Sequence, residues 1–527
     1  MLSVDLYDRH VGARLPDFFA AISPWNRRLW TIGSVLTLKE IIEASEAVQA
    51  GVLSSKALSN LISSANPMLG QDCGVGEEAQ LKVLQQSLKP EVRYKGIEFH
   101  QIEQLIPDIE ENYLERWANI LRLPDRRPKV ERTARAIASH LLDSGFDPDY
   151  LHRWWTYRIR HEAGNRSIAD LVSEAHSLCR RPHREFEVIV AFEGSTISLA
   201  ESVHNWLDAS ILSATLQKTG FETKGVRQRG GMSIRVKARE ARSAVELAAE
   251  IIDRFMARVT LGTRDSKLVP LPKAWVIGEA TPIPLRRHGR GVEVHALERE
   301  NKLYPESVSS RVDAAVNAAI ELLTPMSMSS TSSAVAGGWA AVEALLSTAG
   351  DDRVLAGDRM AALIACSFPR AELTALSYKL EAGGDSIAAR LPLCKTNRDR
   401  AHEVAQAIRN GESLTLNDES DFVALERLRT VITSPQKNLE DINNHIAAVL
   451  RRLYRHRNMV LHWGKTDAVA LRAGLRTAAP IVGEGMDRIA HAWFVENIPP
   501  LELAARASIR LGIVGSTNGY DIVDLLG

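Results

Sequence analysis

The stretch that decides the fold is AAVLRRLYRHRNMVLHWGKTD, from Ala447 to Asp467. A step of 100° per residue around an α-helix places its apolar side chains on one face, within roughly 60° of Ile446. That apolar face is made of Val449, Leu450, Leu453 and Val460. The pattern predicts a long amphipathic helix that packs against other helices of a bundle.

One arginine lies in the middle of this apolar face, and its environment has to be explained. It is Arg457, whereas Arg451, Arg452 and Arg455 point elsewhere and are predicted to lie on a solvated face. A guanidinium keeps its proton, and its burial alone is costly, so a buried arginine is normally paired. Arg457 therefore requires either a carboxylate inside the fold, which is the ordinary case, or a phosphate from outside.

A histidine follows the arginine at a spacing that matters for chemistry. His462 lies five residues after Arg457, about 140° further around a straight helix. One straight helix is not expected to direct both side chains to the same point. We expect the helix to bend or end near Trp463 and Gly464, or a second subunit to complete the site. A histidine that only caps the helix end is the simpler explanation, because its charge suits the helix dipole.

Length and composition exclude several classes of protein. The chain has 527 residues, 45% of them hydrophobic and 25% charged, as is usual for a soluble protein of about three domains. Basic and acidic residues balance at 65 each, so nucleic acid binding would depend on local patches. We find no apolar run of about 18 residues and no signal peptide, which predicts a cytoplasmic protein without a membrane segment. Widely spaced cysteines argue against a zinc site and disulfides: Cys73, Cys179, Cys366 and Cys394.

Hydrophobic periodicity divides the chain into four parts, and the fold class is predicted to be mainly α. Residues 1–125 form a helical N-terminal region, and residues 126–184 a further helical segment, in which Asp147 caps a helix start. In residues 185–305, runs such as FEVIVAFEG and GGMSIRVKA alternate with helices, which predicts a small α+β module with ferredoxin-like βαββαβ order. Residues 306–527 show almost only helical periodicity and are predicted to form an all-α bundle.

Basic residues in loops and beside the C-terminal stretch are candidate RNA contacts. Glycine lets backbone amides approach a phosphate, and arginine supplies bidentate hydrogen bonds. Ordinary solvated turns explain such loops equally well. The candidates are Arg227 and Arg229 in one glycine-rich loop, Arg286 and Arg287 in another, and Arg455 and Lys465 near the apolar face.

The C-terminal stretch resembles the Arg-x(4–6)-His motif of the HEPN ribonuclease superfamily. The form Tyr-x-x-Arg-Asn-x-x-x-His is matched by Tyr454, Arg457, Asn458 and His462. Upstream, WAAVEAL from Trp339 to Leu345 resembles the Trp-x-Ala-x-Glu-x-Leu pattern of Apea-like HEPN domains. The two motifs occur in the family's order within an all-helical region of about residues 308–500. Trp463 departs from the family pattern, because small residues are usual after the histidine.

This resemblance implies an HEPN-like helical bundle that cleaves RNA without a metal or any other cofactor. The ribose 2′-OH attacks the adjacent phosphate and leaves a 2′,3′-cyclic phosphate and a 5′-OH. His462 would move a proton and Arg457 would stabilise the phosphate charge. Asn458 would bind a phosphate oxygen or orient His462. Glu343 borders the apolar face of its own helix and would pair with Arg457 or orient His462, unless it is an ordinary rim glutamate.

The resemblance also implies partners. HEPN domains typically form dimers in which two motifs face one cleft, and they occur in toxins and phage-defence effectors that cut tRNA or other RNA. We therefore expect a homodimeric ribonuclease effector whose N-terminal half binds a phage or regulatory protein. The alternative is a non-catalytic HEPN-like scaffold or RNA-binding subunit, with Arg457 in a buried ion pair and His462 as a structural cap. A metal-dependent nuclease finds no supporting cluster of carboxylates in the sequence.

Overall fold

The fold is mainly α, as the sequence predicts, with one small antiparallel sheet. The computed structural model describes residues 5–161, 166–194, 204–221, 229–262, 268–285, 290–304, 311–352 and 354–527. Within these residues it contains 20 α-helices and five strands. The predicted α+β module in the middle of the chain is confirmed.

Packing groups the chain into two compact units. The first combines Met1–His140, His152–His176 and Arg290–Gly527. The second combines Leu141–Leu151 and Ser177–Gly289. The N-terminal helices and the C-terminal bundle, which the sequence analysis treated as successive parts, therefore belong to one unit.

Helices of the N-terminal part come first in the chain. They are α1 (Leu6–Phe19), α2 (Ser34–Gln49), α3 (Ser55–Gly70), α4 (Glu78–Ser87), α5 (Ile97–Leu121), α6 (Val130–Asp143), α7 (Pro148–His161) and α8 (Ile168–Cys179). The central part contributes α9 (Ala209–Lys218) and α10 (Ala241–Gly262). Short 3₁₀ helices cover Trp25–Arg27, Pro124–Arg126 and Leu391–Leu393.

The C-terminal helices continue from the end of the central part. They are α11 (Ala296–Arg299), α12 (Arg311–Met328), α13 (Thr331–Leu346), α14 (Leu355–Leu380), α15 (Ser386–Arg390), α16 (Asn397–Arg409), α17 (Glu419–Thr433), α18 (Pro435–Trp463), α19 (Leu471–Glu496) and α20 (Pro500–Ile513). Helix α14 is the centre of this bundle, because it packs against α13 and against each helix from α16 to α20. Its buried positions run without interruption from Met360 to Pro369, as expected for a helix surrounded by others.

Buried ion pairs attach the N-terminal segment to the bundle within the first unit. Arg27 donates from Nε to Glu372 Oε1 at 3.2 Å and from Nη1 to Asp421 Oδ1 at 2.6 Å. Arg427 also donates to Glu372, whose side chain is fully buried. Charges buried in this way are costly to separate from their partners. The N-terminal segment is therefore part of the folded bundle and not an appendage of it.

The second unit is built around a five-stranded sheet. Its strands are β1 (Arg184–Glu193), β2 (Trp206–Asp208), β3 (Gly230–Ala238), β4 (Val269–Val276) and β5 (Ile283–Pro284), in the order β2-β3-β1-β4-β5. Alternate residues of the central strand β1 pack on opposite faces, Val188 and Val190 in the core that includes α10 and Ile189 in the core that includes α9. This two-sided burial explains why FEVIVAFEG is almost continuously apolar.

The pairing of strands β1 to β4 agrees with a ferredoxin-like sheet, whereas the order of elements along the chain differs from the predicted one. Strand β1 pairs with both β3 and β4 in antiparallel orientation, and the β2–β3 and β4–β5 pairs are antiparallel as well. In a split βαβ arrangement an inserted strand separates the two parallel strands, so neighbouring strands are antiparallel, as in the observed order β2-β3-β1-β4. The order along the chain is not the predicted βαββαβ, because among the described residues α9 follows β2 and precedes β3.

The predicted helix start at Asp147 is confirmed within the second unit. Asp147 Oδ1 accepts a hydrogen bond from the Tyr150 backbone N–H at 3.0 Å, directly before α7. Burial, with a smaller contribution from the nearby Glu246 and Glu240 carboxylates, raises the pKa of the Asp147 carboxyl to about 7. The folded protein therefore holds a proton here that the unfolded chain has already released at neutral pH.

Asp147→Asn is expected to increase stability at pH 8 and to leave it nearly unchanged at pH 4. The folded pKa is raised, so the wild type loses stability as pH rises from about 4 through about 7. Asparagine removes the buried charge and keeps the oxygen that accepts the Tyr150 N–H. Urea denaturation at the two pH values measures the effect. Asp170→Asn is the matched control, and it should decrease stability at pH 8. A hydrogen bond from the Ser167 side chain lowers the pKa of Asp170, so its charged form stabilises the fold. An equal effect of Asp147→Asn at both pH values would contradict the assignment.

Candidate functional site

The site is at the C-terminal end of α18, where the sequence predicted that the helix ends. Gly464 has φ 67°, in the left-handed region that favours glycine, and ends the helix after Trp463. The Gly464 N–H donates to the Val460 carbonyl at 3.2 Å, and the Lys465 N–H donates to the Met459 carbonyl at 3.1 Å. These bonds satisfy carbonyl groups of the last turn, and the negative end of the helix dipole is beside His462.

Arg457 and His462 contact each other on this helix end. Arg457 Nη1 is 3.2 Å from His462 Nε2, and it also donates to Asn458 Oδ1 at 3.0 Å. The sequence analysis expected the helix to end near Trp463 and Gly464, which it does, and the long arginine side chain spans the remaining angular separation. A second subunit is not required to join these two groups. Asn458, which is 5% exposed, orients Arg457 and not His462.

Unlike the other arginines of α18, Arg457 has no acidic partner among the described residues. Arg451 donates from Nε to Asp358 Oδ1 at 2.8 Å and from Nη2 to Asp358 Oδ2 at 2.9 Å. Arg452 and Arg455 both pair with Glu40. Within the described part of the chain, no carboxylate lies within 4.0 Å of the Arg457 guanidinium nitrogens. The structure thus contains no described internal carboxylate that neutralises this half-buried cation.

Arg452 and Arg455 are buried, which corrects the prediction that they lie on a solvated face. They are 7% and 4% exposed. Glu40 Oε2 accepts from Arg452 Nε at 2.9 Å, and Glu40 Oε1 accepts from Arg455 Nη2 at 2.7 Å. The sequence analysis failed here because α2 covers this side of α18 and supplies the carboxylate. Arg455 is therefore not accessible to RNA in this structure.

A buried histidine completes this ionic cluster. His456 is 1% exposed, and its Nε2 is 4.0 Å from Glu40 Oε1. Burial lowers the pKa of His456 to about 3, so the ring is neutral near physiological pH. Its ring packs against Gly474 of α19 so closely that an added Cβ there would come within 2.6 Å of the imidazole. A larger residue at position 474 would displace the histidine.

Glu343 is on a helix that packs against α18, but it does not join the Arg457–His462 pair. Trp339 of α13 contacts Tyr454 of α18, with the ring centroids 5.1 Å apart. The carboxylate of Glu343 is half-buried and forms no hydrogen bond or ion pair with any residue that the structure describes. Its predicted role in orienting Arg457 or His462 therefore stays a prediction.

The remaining candidates are distributed over both units. Lys465 Nζ pairs with Glu43 Oε1 at 2.9 Å and lies 4.8 Å from the centre of the Trp463 ring. Arg229 is exposed in the second unit, and its backbone N–H donates to the Phe192 carbonyl at 2.8 Å. Arg227, Arg286 and Arg287 lie outside the described residues.

Sequence analysis missed the two acidic residues of α2 that contact the end of α18. Glu40 and Glu43 are 3% and 5% exposed, and they share the buried face of α2 with Ile41, Ala44 and Ala47. The sequence did contain a signal for them, because two carboxylates lie at helical spacing within an apolar face. Buried charges of this kind need partners elsewhere in the fold. Nothing in the local sequence indicates that those partners lie more than 400 residues away.

Searches for related proteins add nothing to this geometry. No family model, no curated protein and no solved structure matches the chain at a significant level.

The described residues contain no group of three or more histidine, cysteine or acidic side chains placed to hold a metal ion. No helix among them is long and apolar enough to cross a membrane, and each of the four cysteines is a free thiol.

Glu40→Gln is expected to lower the free energy of unfolding by about 3–5 kcal/mol, because two buried arginines would lose their shared counterion. The control is Glu110→Gln, which removes the partner of Lys39 on the same helix α2. That pair is largely exposed, so its loss should change the free energy by about 0–1 kcal/mol. Urea denaturation at pH 7 compares the two variants. Equal losses in both would show that the buried cluster contributes little.

Proposed function

We propose that this protein is a metal-independent endoribonuclease of the HEPN type. The observation that carries the proposal is the half-buried guanidinium of Arg457, which contacts His462 at 3.2 Å and has no carboxylate partner among the described residues. A cation held in place without a counterion is suited to bind an anion from solution. A phosphate bound there would be near an imidazole, the side chain that exchanges protons most readily at neutral pH.

The proposed reaction uses one proton acceptor and one anion site. Neutral His462 accepts the proton of the ribose 2′-OH, whose oxygen forms a bond to the adjacent phosphorus. The bond from phosphorus to the 5′-oxygen breaks, and that oxygen takes up a proton from an imidazolium or from water. Arg457 stabilises the additional negative charge on the phosphate during this exchange. Asn458 holds the guanidinium in place by accepting its Nη1 hydrogen bond.

The wider biological role follows from the resemblance alone. We propose that the enzyme is a cytoplasmic toxin or anti-phage effector that cuts tRNA or other RNA. It would act as a homodimer through the HEPN-like bundle, and its N-terminal half would respond to a phage or regulatory protein. The attachment of that N-terminal segment to the bundle supports a regulatory connection, since Glu40 contacts the helix that carries the candidate site.

A non-catalytic scaffold is the alternative, and one observation favours it. The hydrogen bonds among Arg457, Asn458 and His462 all lie within six residues of one helix end. The same bonds would stabilise that end if the three residues had no chemical role. In that case the bundle would serve as a protein-interaction or RNA-binding subunit.

Wild-type protein incubated with total tRNA in EDTA is expected to release fragments with 2′,3′-cyclic phosphate ends. Arg457→Ala and His462→Ala should each lower the cleavage rate about 10²–10⁴-fold, the usual contribution of a positioned acid or base. Arg451→Ala is the matched control on the same helix, and it should cleave at nearly the wild-type rate because its partner Asp358 is partly exposed.

The ribonuclease proposal fails if wild-type protein cleaves no RNA under any activating condition. It also fails if Arg457→Ala and His462→Ala cleave as fast as the wild type. Overexpression gives a second measurement, because a ribonuclease effector should arrest growth in a manner that depends on His462. The scaffold alternative predicts no such arrest.

A further inference from the structure

The loop after α18 is held by an acidic residue of the N-terminal part. This loop, Gly464–Ala470, joins α18 to α19 and directly follows the Arg457–His462 pair. Glu43 of α2 contacts it at two points: Oε1 is 2.9 Å from Lys465 Nζ, and Oε2 accepts from the Val469 backbone N–H at 3.1 Å. One carboxylate thus fixes both the start and the end of the loop.

Apolar packing supports the same contact. Ile32, just before α2, is in a buried cluster with Ala470 and Ala473, where the loop enters α19, and Leu36 of α2 packs against it. Glu43 is only 5% exposed, so its carboxylate is not free to exchange these partners for water. The loop is therefore fixed by a buried carboxylate and by an apolar contact, both supplied by the N-terminal part.

Helix α2 holds α18 on both sides of the candidate site. Glu40 pairs with Arg452 and Arg455 before Arg457, and Glu43 holds Lys465 and Val469 after His462. The two acidic residues are three positions apart and therefore lie on one face of α2. His462 lies between these two attachments, exposed on the last turn of the helix. Its ring position depends on where that last turn ends, and the loop contacts fix that point.

We propose that Glu43 is a positioning residue for the Arg457–His462 site, and that the site is complete only when α2 is docked against the loop Gly464–Ala470. This inference rests on the proposed ribonuclease function for its effect on catalysis. Loss of the Glu43 carboxylate frees Lys465 and loosens the last turn of α18, so that His462 leaves the guanidinium of Arg457. Glu43 itself does not touch the RNA or the reacting atoms.

The test follows the imidazole of His462 directly, without RNA. Protein with ¹³C-labelled histidine is studied by NMR, and the His462 signal is assigned by its loss in His462→Ala. Glu43→Gln is expected to shift this signal, whereas Glu110→Gln should leave it unchanged. The control Glu110→Gln removes the largely exposed partner of Lys39 on the same helix α2. Thermal denaturation identifies any variant that fails to fold.

Lys465→Met gives a second route to the same result in case Glu43→Gln is too unstable. It removes the ammonium and keeps the aliphatic chain, and Lys465 is partly exposed, so the fold should tolerate it. The variant should shift the His462 signal in the same direction. The double variant should shift it no further than the larger of the two single effects, because both changes remove the same contact.

Cleavage of total tRNA then separates positioning from function. Glu43→Gln should lower kcat about tenfold with KM nearly unchanged, a loss of about 1.4 kcal/mol in transition-state stabilisation. An unchanged His462 signal in both Glu43→Gln and Lys465→Met overturns the inference. A shifted signal in a protein that cleaves no RNA supports the positioning role and overturns the ribonuclease proposal, so the two failures are distinguishable.

Discussion

A single buried carboxylate, Glu40, connects α18 to the N-terminal helices. Two guanidinium groups that are more than nine-tenths buried require a counterion, and Glu40 supplies one to both Arg452 and Arg455. An unpaired charge in the interior would cost several kcal/mol, so this part of α18 is stable only while α2 is docked on it. The neighbouring His456 stays neutral because it is buried, which avoids a further positive charge in the cluster. The N-terminal helices and the C-terminal bundle belong to one compact unit.

The candidate site directly follows the arginines of α18 whose charges are neutralised by carboxylates. Along α18, Arg451, Arg452 and Arg455 each have a carboxylate partner, and two residues later Arg457 has none in the described part of the chain. Its polar contacts are an amide oxygen and an imidazole nitrogen, which do not cancel its charge. A helix whose other arginines have carboxylate partners, and whose Arg457 lies unneutralised beside a histidine, provides a place for an external anion. This contrast, more than the short sequence motif, supports the ribonuclease proposal.

The position of the site also connects the two ends of the chain. Glu40 and Glu43 of α2 contact α18 before the site and the loop after it. A change in the docking of α2 would therefore be transmitted to His462 through a few direct contacts. Regulation by the N-terminal part requires a two-state element whose equilibrium a partner can bias, and the contact between α2 and this loop is the element that the geometry favours.

The amino-acid sequence by itself determined the features that arise from local physics. Helical periodicity predicted α18, glycine at position 464 predicted its end, and Asp147 before a proline predicted the start of α7. Alternation and apolar runs predicted strands β1, β3 and β4 of the second unit but not the short strands β2 and β5, and the mainly α fold class followed from the same patterns. These features depend on neighbours within a few positions, so one sequence contains the information.

Only the tertiary structure decided which of these local elements meet. The partner of Arg452 and Arg455 is 412 and 415 residues away, so no periodicity could show that they are buried and Arg457 only half-buried. The contact between Arg457 and His462 depends on the length and conformation of the arginine side chain. A helical wheel gives only the direction in which each side chain leaves the helix. The antiparallel pairing of β1 with both β3 and β4 is likewise a choice among topologies with the same order along the chain. Long-range charge neutralisation, side-chain reach and strand pairing are properties of the folded chain as a whole, and for that reason they could not be predicted from its segments.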